Sequence, residues 1–277
     1  MRLLVQSIAI MSTPTSERPL VVATGASSGT GFETACSCAA HRCDLVIAAD
    51  ERPTRLAGET VDKLEVDVAF FEADLAAPVG LDARFDMIGD RPVDALLANA
   101  GHGPGRAFLD QDFDESRHVI DTDTTGTLYL VQSVGVGMRN GGNARFFFHR
   151  LDRGLHAGCL RGGSNGSRVP IASFSLALCN ELQGSGVTMT CLMPGAMDTH
   201  LFRRADMLDT KVAQAEKDDP AEVARIGFHA MLDGEGDMES GWENKVQAAR
   251  ANIKPAAMLA EQQRKIAEMS SDRSHGS

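Results

Sequence analysis

Val21–Gly31 reads VVATGASSGTG, and its glycines carry the first hint of chemistry. A β-branched run ends in Thr24, and Gly25, Gly29 and Gly31 follow in the spacing TGxxxGxG. Gly25 lets the chain turn tightly off a strand. Gly29 lets backbone N–H groups approach a pyrophosphate, and Gly31 lets the next helix pack on the strand. Ser27 and Ser28 add hydroxyl donors, and the helix that opens at Thr30 adds a partial positive charge at its N-terminus. The triplet lies between a strand-like run and the helix-like Phe32–Ala40, which is the context such a loop needs. A plain strand–turn–helix corner is the alternative.

Further polar residues fall at spaced points downstream. Asp50 lies about twenty residues past the loop, where an acid can bond the ribose hydroxyls of an adenosine. Arg52 beside it could pair a 2′-phosphate. Asp74-Leu75 follows a strand-like stretch, and Asn99-Ala100-Gly101 follows another, Val93–Ala98. Together these residues resemble the short-chain dehydrogenase/reductase family, over roughly residues 18–235. The glycine loop is that family's first signature and the NAG turn its second. The resemblance implies an NAD(P)-dependent oxidoreductase acting on a small-molecule alcohol or carbonyl. It implies NAD more than NADP, although the usual NAD-type acid aligns with Ala49, and Arg52 keeps NADP open. It places Asp74 and Leu75 near the adenine; a loop carboxylate that caps the next helix is the alternative for Asp74. It places Asn99, Ala100 and Gly101 along the cofactor cleft. Pro194, Gly195 and Thr199 fall at the nicotinamide end.

The family's proton relay does not carry over intact. At the positions of its Asn, Ser, Tyr and Lys stand Asp123, Leu151, Ser164 and Arg168. The only tyrosine, Tyr129, is followed four residues later by Ser133, so no Tyr-x-x-x-Lys exists in the chain. Tyr129 is expected to pack within a helix. A serine hydroxyl is less acidic and shorter than a phenol. Arginine offers a planar fork in place of a point charge, and leucine donates nothing. Arg150, Asp152 and Arg153 fall where the family has small or apolar residues.

Two accounts are open. One is a non-catalytic dinucleotide binder, a sensor or scaffold. The other is a frame-shifted reading of an ordinary enzyme. His149–Gly158, HRLDRGLHAG, can be encoded by codons that give TGSIAGFMP when the first base is dropped, with a serine at position 151. The Asn-to-Asp, Tyr-to-Ser and Lys-to-Arg differences are each one base change away. The gene sequence across codons 145–173 separates the two accounts.

The elements that must position these residues alternate. Strands are expected at Val21–Thr24, Asp44–Ala49, Val66–Glu72, Val93–Ala98, Ala144–Phe148 and Val187–Leu192. Helices are expected at Thr30–His41, Thr54–Leu64 and Asp114–Arg139, and after Asp219-Pro220; the resemblance implies a fifth helix that takes in Asn165–Arg168 and Ser173–Leu182. Such alternation predicts an α/β fold: one Rossmann-type, doubly wound parallel sheet in three α/β/α layers, a single domain. The expected bounds are an N-terminal extension over 1–18, the domain over 19–254, and a C-terminal helix and tail over 255–277. Met11, followed by a polar lead-in, is an alternative start.

The chain has 277 residues and a net charge of −11, which speaks against a nucleic-acid partner. No run is long enough to span a membrane. The six cysteines form no CxxC pair and no metal-ligand pattern. They are expected to be reduced, mostly buried thiols in a cytoplasmic protein, with Cys36 and Cys38 on different helix faces. The family often pairs through its fourth and fifth helices, which leaves a homodimer open.

Overall fold

A computed structural model describes residues 18–49, 66–72, 74–77, 88, 90–101, 108–149, 162–193 and 219–239. Its strands are β1 (Leu20–Thr24), β2 (Asp44–Ala49), β3 (Val68–Glu72), β4 (Ala95–Ala98), β5 (Arg145–His149), β6 (Thr188–Met193) and β7 (Asp237–Glu239). All pair in parallel, in the order β3-β2-β1-β4-β5-β6-β7. The expected fold is the observed one. The short β7, which pairs with β6, is an addition that the sequence pattern did not announce.

The helices are α1 (Gly29–Ala40), α2 (Phe113–Ile120), α3 (Thr127–Gly141), α4 (Gly162–Glu181) and α5 (Pro220–Asp233). They cover both faces of the sheet because successive strand side chains point to opposite sides. Val22, Leu96, Phe146 and Phe148 face one side and pack with Leu130, Val134 and Met138 of α3 and Ile171 of α4. Val21, Ile47, Leu97 and Phe147 face the other, against Phe32 and Ala35 of α1 and Phe228 and Met231 of α5. Tyr129 packs against the first of these cores, as expected of it.

The expected single helix over Asp114–Arg139 is corrected. It starts one residue earlier, because Asp112 caps it by accepting from the N–H groups of Asp114 and Glu115. It is also interrupted: Asp121–Gly126 forms a π-helical turn between α2 and α3. The extra residue in that turn advances the helix face, so that Asp123, Leu130 and Met138 all stay buried. α4 runs through Pro170, which cannot donate to the preceding turn. α5 begins as expected, with Asp219 accepting from the Ala221 N–H and proline at the first position.

Charges tie the N-terminal edge of the sheet together. Asp44, at the start of β2, is nearly buried. Its Oδ1 lies 2.8 Å from Arg18 Nε and its Oδ2 2.9 Å from Arg91 Nη2. Oδ1 also accepts from the Asp67 N–H, and Arg91 donates to the Arg18 carbonyl as well. Arg18 reaches on to Asp67 at 3.0 Å. Beside this cluster the Asp94 carboxylate accepts from the Leu20 N–H at 2.8 Å. Burial raises the Asp94 pKa above its ordinary value, against the lowering effect of that N–H and of Arg91 and Arg145.

Cysteine placement is mixed. Cys38, Cys43 and Cys191 are buried, Cys36 is half-buried, and Cys179 on α4 is exposed. Cys38 lies within the core shared by α1 and α5, and Cys36 packs against the edge of that same core. Burial, with the neighbouring thiols second, raises Cys38 well above its usual value. Cys43 is pushed up to about 12 by burial and then by the nearby Asp94 and Asp44 charges.

Two outcomes are expected. Asp44→Ala removes the shared carboxylate from two half-buried guanidinium groups, which keep Asp67 and the Arg18 carbonyl as partners, and should lower stability by about 1–2 kcal/mol, read by urea unfolding. Native protein treated with iodoacetamide at pH 8 should be labelled at Cys179 and not at Cys38 or Cys43, because a thiolate is the reactive form. Peptide mapping reads the labels.

Candidate functional site

The C-terminal ends of β1 and β4 build the candidate site. β1 stops at Thr24, and Gly25 turns the chain with φ +61°, in the left-handed region that glycine adopts without penalty. Gly29, also at φ +61°, opens α1. Ser28 stands at the helix cap position in extended conformation, but its side chain makes no capping bond, and no acid lies in the first turn. The contrast with α2 and α5 is sharp. Each is capped by an aspartate and carries Asp or Glu in its first turn. The N-terminus of α1 therefore keeps its positive end unneutralised by side chains, which suits an anionic ligand.

A small hydrogen-bond knot holds that loop to β4. Thr24 Oγ1 accepts from the N–H groups of Asn99 and Ala100, both at 3.2 Å, and donates to the Leu97 carbonyl at 3.3 Å. The Asn99 side chain donates to the Gly25 carbonyl at 3.1 Å. Gly31 lies directly over this knot: a Cβ there would collide with the Asn99 amide and lie 2.5 Å from the Gly25 carbonyl. The two sequence signatures, over seventy residues apart, thus form one piece of structure. Gly101 follows at the same strand end, half-buried.

Asp74 and Leu75 sit in the turn after β3. Asp74 is exposed and its Oδ1 accepts from the Ala76 N–H at 2.9 Å, within its own turn; a helix for it to cap lies outside the described residues. Leu75 is buried in the core. Asp123 lies in the π turn and is 3% exposed. That turn packs against α4, the helix that carries positions 164 and 168 one turn apart. The elements bearing Asp123, Ser164 and Arg168 therefore meet. Leu151, Asp50, Arg52, Pro194, Gly195 and Thr199 lie outside the described residues, as do the helices expected over Thr54–Leu64 and Pro255–Glu268. So do Met1, Met11 and Trp242.

His118 is a neighbour that sequence reasoning missed. From α2 its Nε2 comes within 3.8 Å of Asp74 Oδ1. No spacing rule links a helix-surface histidine to an acid 44 positions earlier, so no sequence signal marked it. Among the described residues, no group of His, Cys, Asp and Glu could hold a metal ion. Among them, too, no helix is long and apolar enough to cross a membrane.

Comparison with known proteins agrees with this geometry. A family model described as short chain dehydrogenase matches residues 19–207. An uncharacterized oxidoreductase of Myxococcus xanthus is 29% identical over 187 residues, covering 64% of this chain and 72% of that protein. A short-chain dehydrogenase from Sphingobium yanoikuyae, solved in complex with NADPH, superposes with a TM-score of 0.74 at 23% identity, over 85% of this chain and 94% of that one. L-Sorbose reductase from Gluconobacter frateurii, solved with NADPH and L-sorbose, gives a TM-score of 0.70 at 19% identity, over 80% and 95%. At those identities the two structures speak for the fold alone.

The Thr24 hydroxyl is the testable centre of the knot. Thr24→Val keeps the shape but leaves two N–H groups without their acceptor. A loss of about 3 kcal/mol is expected by thermal or urea unfolding, well above that of an ordinary surface change.

Proposed function

The chain belongs to the short-chain dehydrogenase family, and from that membership we propose that it binds NAD(H) across the C-terminal edge of its sheet but transfers hydride slowly. The family is one of NAD(P)-dependent oxidoreductases, and the resemblance extends that activity to this chain as a class. The observation that carries the binding half is the start of α1, uncapped and free of acids, locked to β4 through Thr24 and Asn99. Backbone N–H groups there bond the pyrophosphate. Asp74 and Leu75 meet the adenine, and Asp50 bonds the ribose hydroxyls. Pro194, Gly195 and Thr199 border the nicotinamide. NAD(P) supplies the hydride acceptor or donor for an alcohol or carbonyl substrate. The complexes of the Sphingobium and Gluconobacter proteins with NADPH favour keeping NADP as the second cofactor to assay.

The slow half follows from the relay positions. Asp123 lacks the donor hydrogens of an amide side chain. Leu151 cannot orient a carbonyl, and Ser164 cannot act as a phenolic acid. Arg168 reaches the ribose with a different shape. Proton transfer by a placed group is worth ~10²–10⁴-fold, so its loss leaves binding and removes most turnover. β5 ends at His149 and pairs with β6 in register, and α4 is formed from Gly162. That continuity on both sides of residues 150–161 favours a frame-shifted segment there, with Asp123, Ser164 and Arg168 as separate one-base changes outside it. The non-catalytic sensor or scaffold is the other account.

Calorimetric titration with NADH beside a turnover assay on a panel of alcohols and ketones tests both halves. Measurable binding with barely detectable turnover is expected. The double variant S164Y/R168K should remain at least ~10²-fold below the triple variant that adds L151S. A folded sample that does not bind NADH or NADPH, or family-like turnover by the unaltered chain, overturns the proposal. An intact coding frame across codons 145–173 removes the frame-shift account and leaves the sensor or scaffold.

A further inference from the structure

The end of α1 carries two thiols that its own helix stop brings together. The helix ends at Ala40, and Arg42 turns the chain through the left-handed region at φ +63°. The Arg42 N–H bonds the Ala39 carbonyl at 2.9 Å, and the Cys43 N–H bonds the Cys38 carbonyl at 3.1 Å. In a stop closed by this pair of bonds, the side chains of the two outer residues meet, and here those residues are Cys38 and Cys43. The main-chain bond between them holds their Cα atoms within about 7 Å, the reach of a disulfide. Cys43 Sγ turns back over the cap, 4.0 Å from the His41 carbonyl. Cys38 and Cys43 are 0% and 2% exposed and lie in the core between α1 and α5. Burial first, and then the neighbouring Cys43 thiol, raises the Cys38 pKa, so the two groups act on each other directly.

We propose that Cys38 and Cys43 are an oxidation site, closing a disulfide that staples the end of α1 to the start of β2 when the protein meets a peroxide. The Cys43 thiolate attacks one peroxide oxygen. The O–O bond breaks, leaving a sulfenic acid on Cys43 and a hydroxide that takes up the thiol proton as water. Cys38 then attacks the Cys43 sulfur. The S–S bond forms, the S–O bond breaks, and the second hydroxide leaves as water with the Cys38 proton. Two thiols lose two electrons, and one peroxide is reduced to two waters. Burial opposes the thiolate that starts the reaction but not its product, which is uncharged and apolar. The pair therefore reacts slowly, as the helix end opens, while the exposed Cys179 reacts first. Nothing in this inference rests on the nucleotide-binding reading above.

Peptide mapping of the full chain after hydrogen peroxide at pH 8 reads the bond. Remaining thiols are blocked, and the protein is digested with trypsin without reductant. Trypsin cuts after Arg42, between the two cysteines, so the disulfide appears as two joined peptides, lighter than their sum by two hydrogens. The joined pair is expected in most of the oxidised protein, with fragmentation placing the bond at Cys38 and not at Cys36. Cys36→Ala should keep it, and Cys38→Ala or Cys43→Ala should abolish it. The linked form should melt about 5 °C above the same protein reduced with dithiothreitol, since the bond closes a short loop. Oxidised Cys179 beside free Cys38 and Cys43 overturns the proposal, as does a bond from Cys43 to Cys36. A bond that forms only in urea, or a linked form that melts below the reduced one, shows that the native cap does not hold the disulfide and overturns it too. If a variant does not fold, the map of the unaltered chain decides alone.

Discussion

The Thr24 hydroxyl is the point on which the upper edge of the sheet depends. It stands at the end of the first strand and takes hydrogen bonds from two consecutive N–H groups at the end of the fourth. Those groups leave the ladder where the strands part, and no water-exposed alternative gives them the same geometry. Fixing them fixes Asn99, whose amide then holds the Gly25 carbonyl. With Gly25 held, the turn into α1 is set, and Gly31 allows the helix to lie directly over the amide. A chain of short polar contacts thus decides where the helix N-terminus points. The opposite edge is closed by a different device, the Asp44 carboxylate between two guanidinium groups. The sheet is therefore pinned by neutral hydrogen bonds at the ends of β1 and β4 and by ion pairs at its opposite edge. Fixed charges of the wrong sign at the upper edge would compete with an anionic ligand.

The same division explains what could be read from the sequence. Gly25, Gly29, Gly31 and the NAG turn were legible because each solves a backbone problem that few residue types solve. The doubly wound parallel sheet followed from alternation, since parallel strands need crossover helices and the crossovers are right-handed. Helix starts marked by Asp219-Pro220 were legible for the same local reason. The π turn was not. Its residues, Asp121 to Gly126, keep the apolar spacing on both sides, and a one-residue insertion within a helix leaves the average period almost unchanged. β7 was illegible because Asp237–Glu239 is three residues long and is recruited by an edge of β6 already in place. Asp112 was missed as a cap, and the helix expected from Asp114, because Asp110, Asp112, Asp114 and Glu115 crowd the same stretch. Nothing local chooses among them.

Of the candidate site, the part made of backbone was legible and the part made of side-chain meetings was not. Asp74 was expected at a strand end, yet its contact with His118 and the approach of Gly126 to Leu75 join segments over forty residues apart. Those meetings exist because α2, the π turn and α3 run as one rod across the loop after β3. A rod that is buried along one side transmits position along its length. Moving Leu75 by the fraction of an ångström that a methyl group demands would strain the same segment that keeps Asp123 buried.

Under the proposed function, this geometry would let a chain lose its proton relay and still keep a cofactor site. The altered positions fall on separate elements: the π turn, the stretch after β5, and the first turns of α4. The glycine loop rests on β1, β4 and α1, on the sheet face where α1 and α5 pack together. The hydrogen bonds of Thr24 and Asn99 that hold it run between the ends of β1 and β4. In the proposed reading, binding and chemistry use physically separable parts of one sheet. The relay residues act only when all are present, because a proton passed between groups needs every donor and acceptor in line. A backbone cradle tolerates changes elsewhere, because its donors belong to the main chain and stay where the fold puts them.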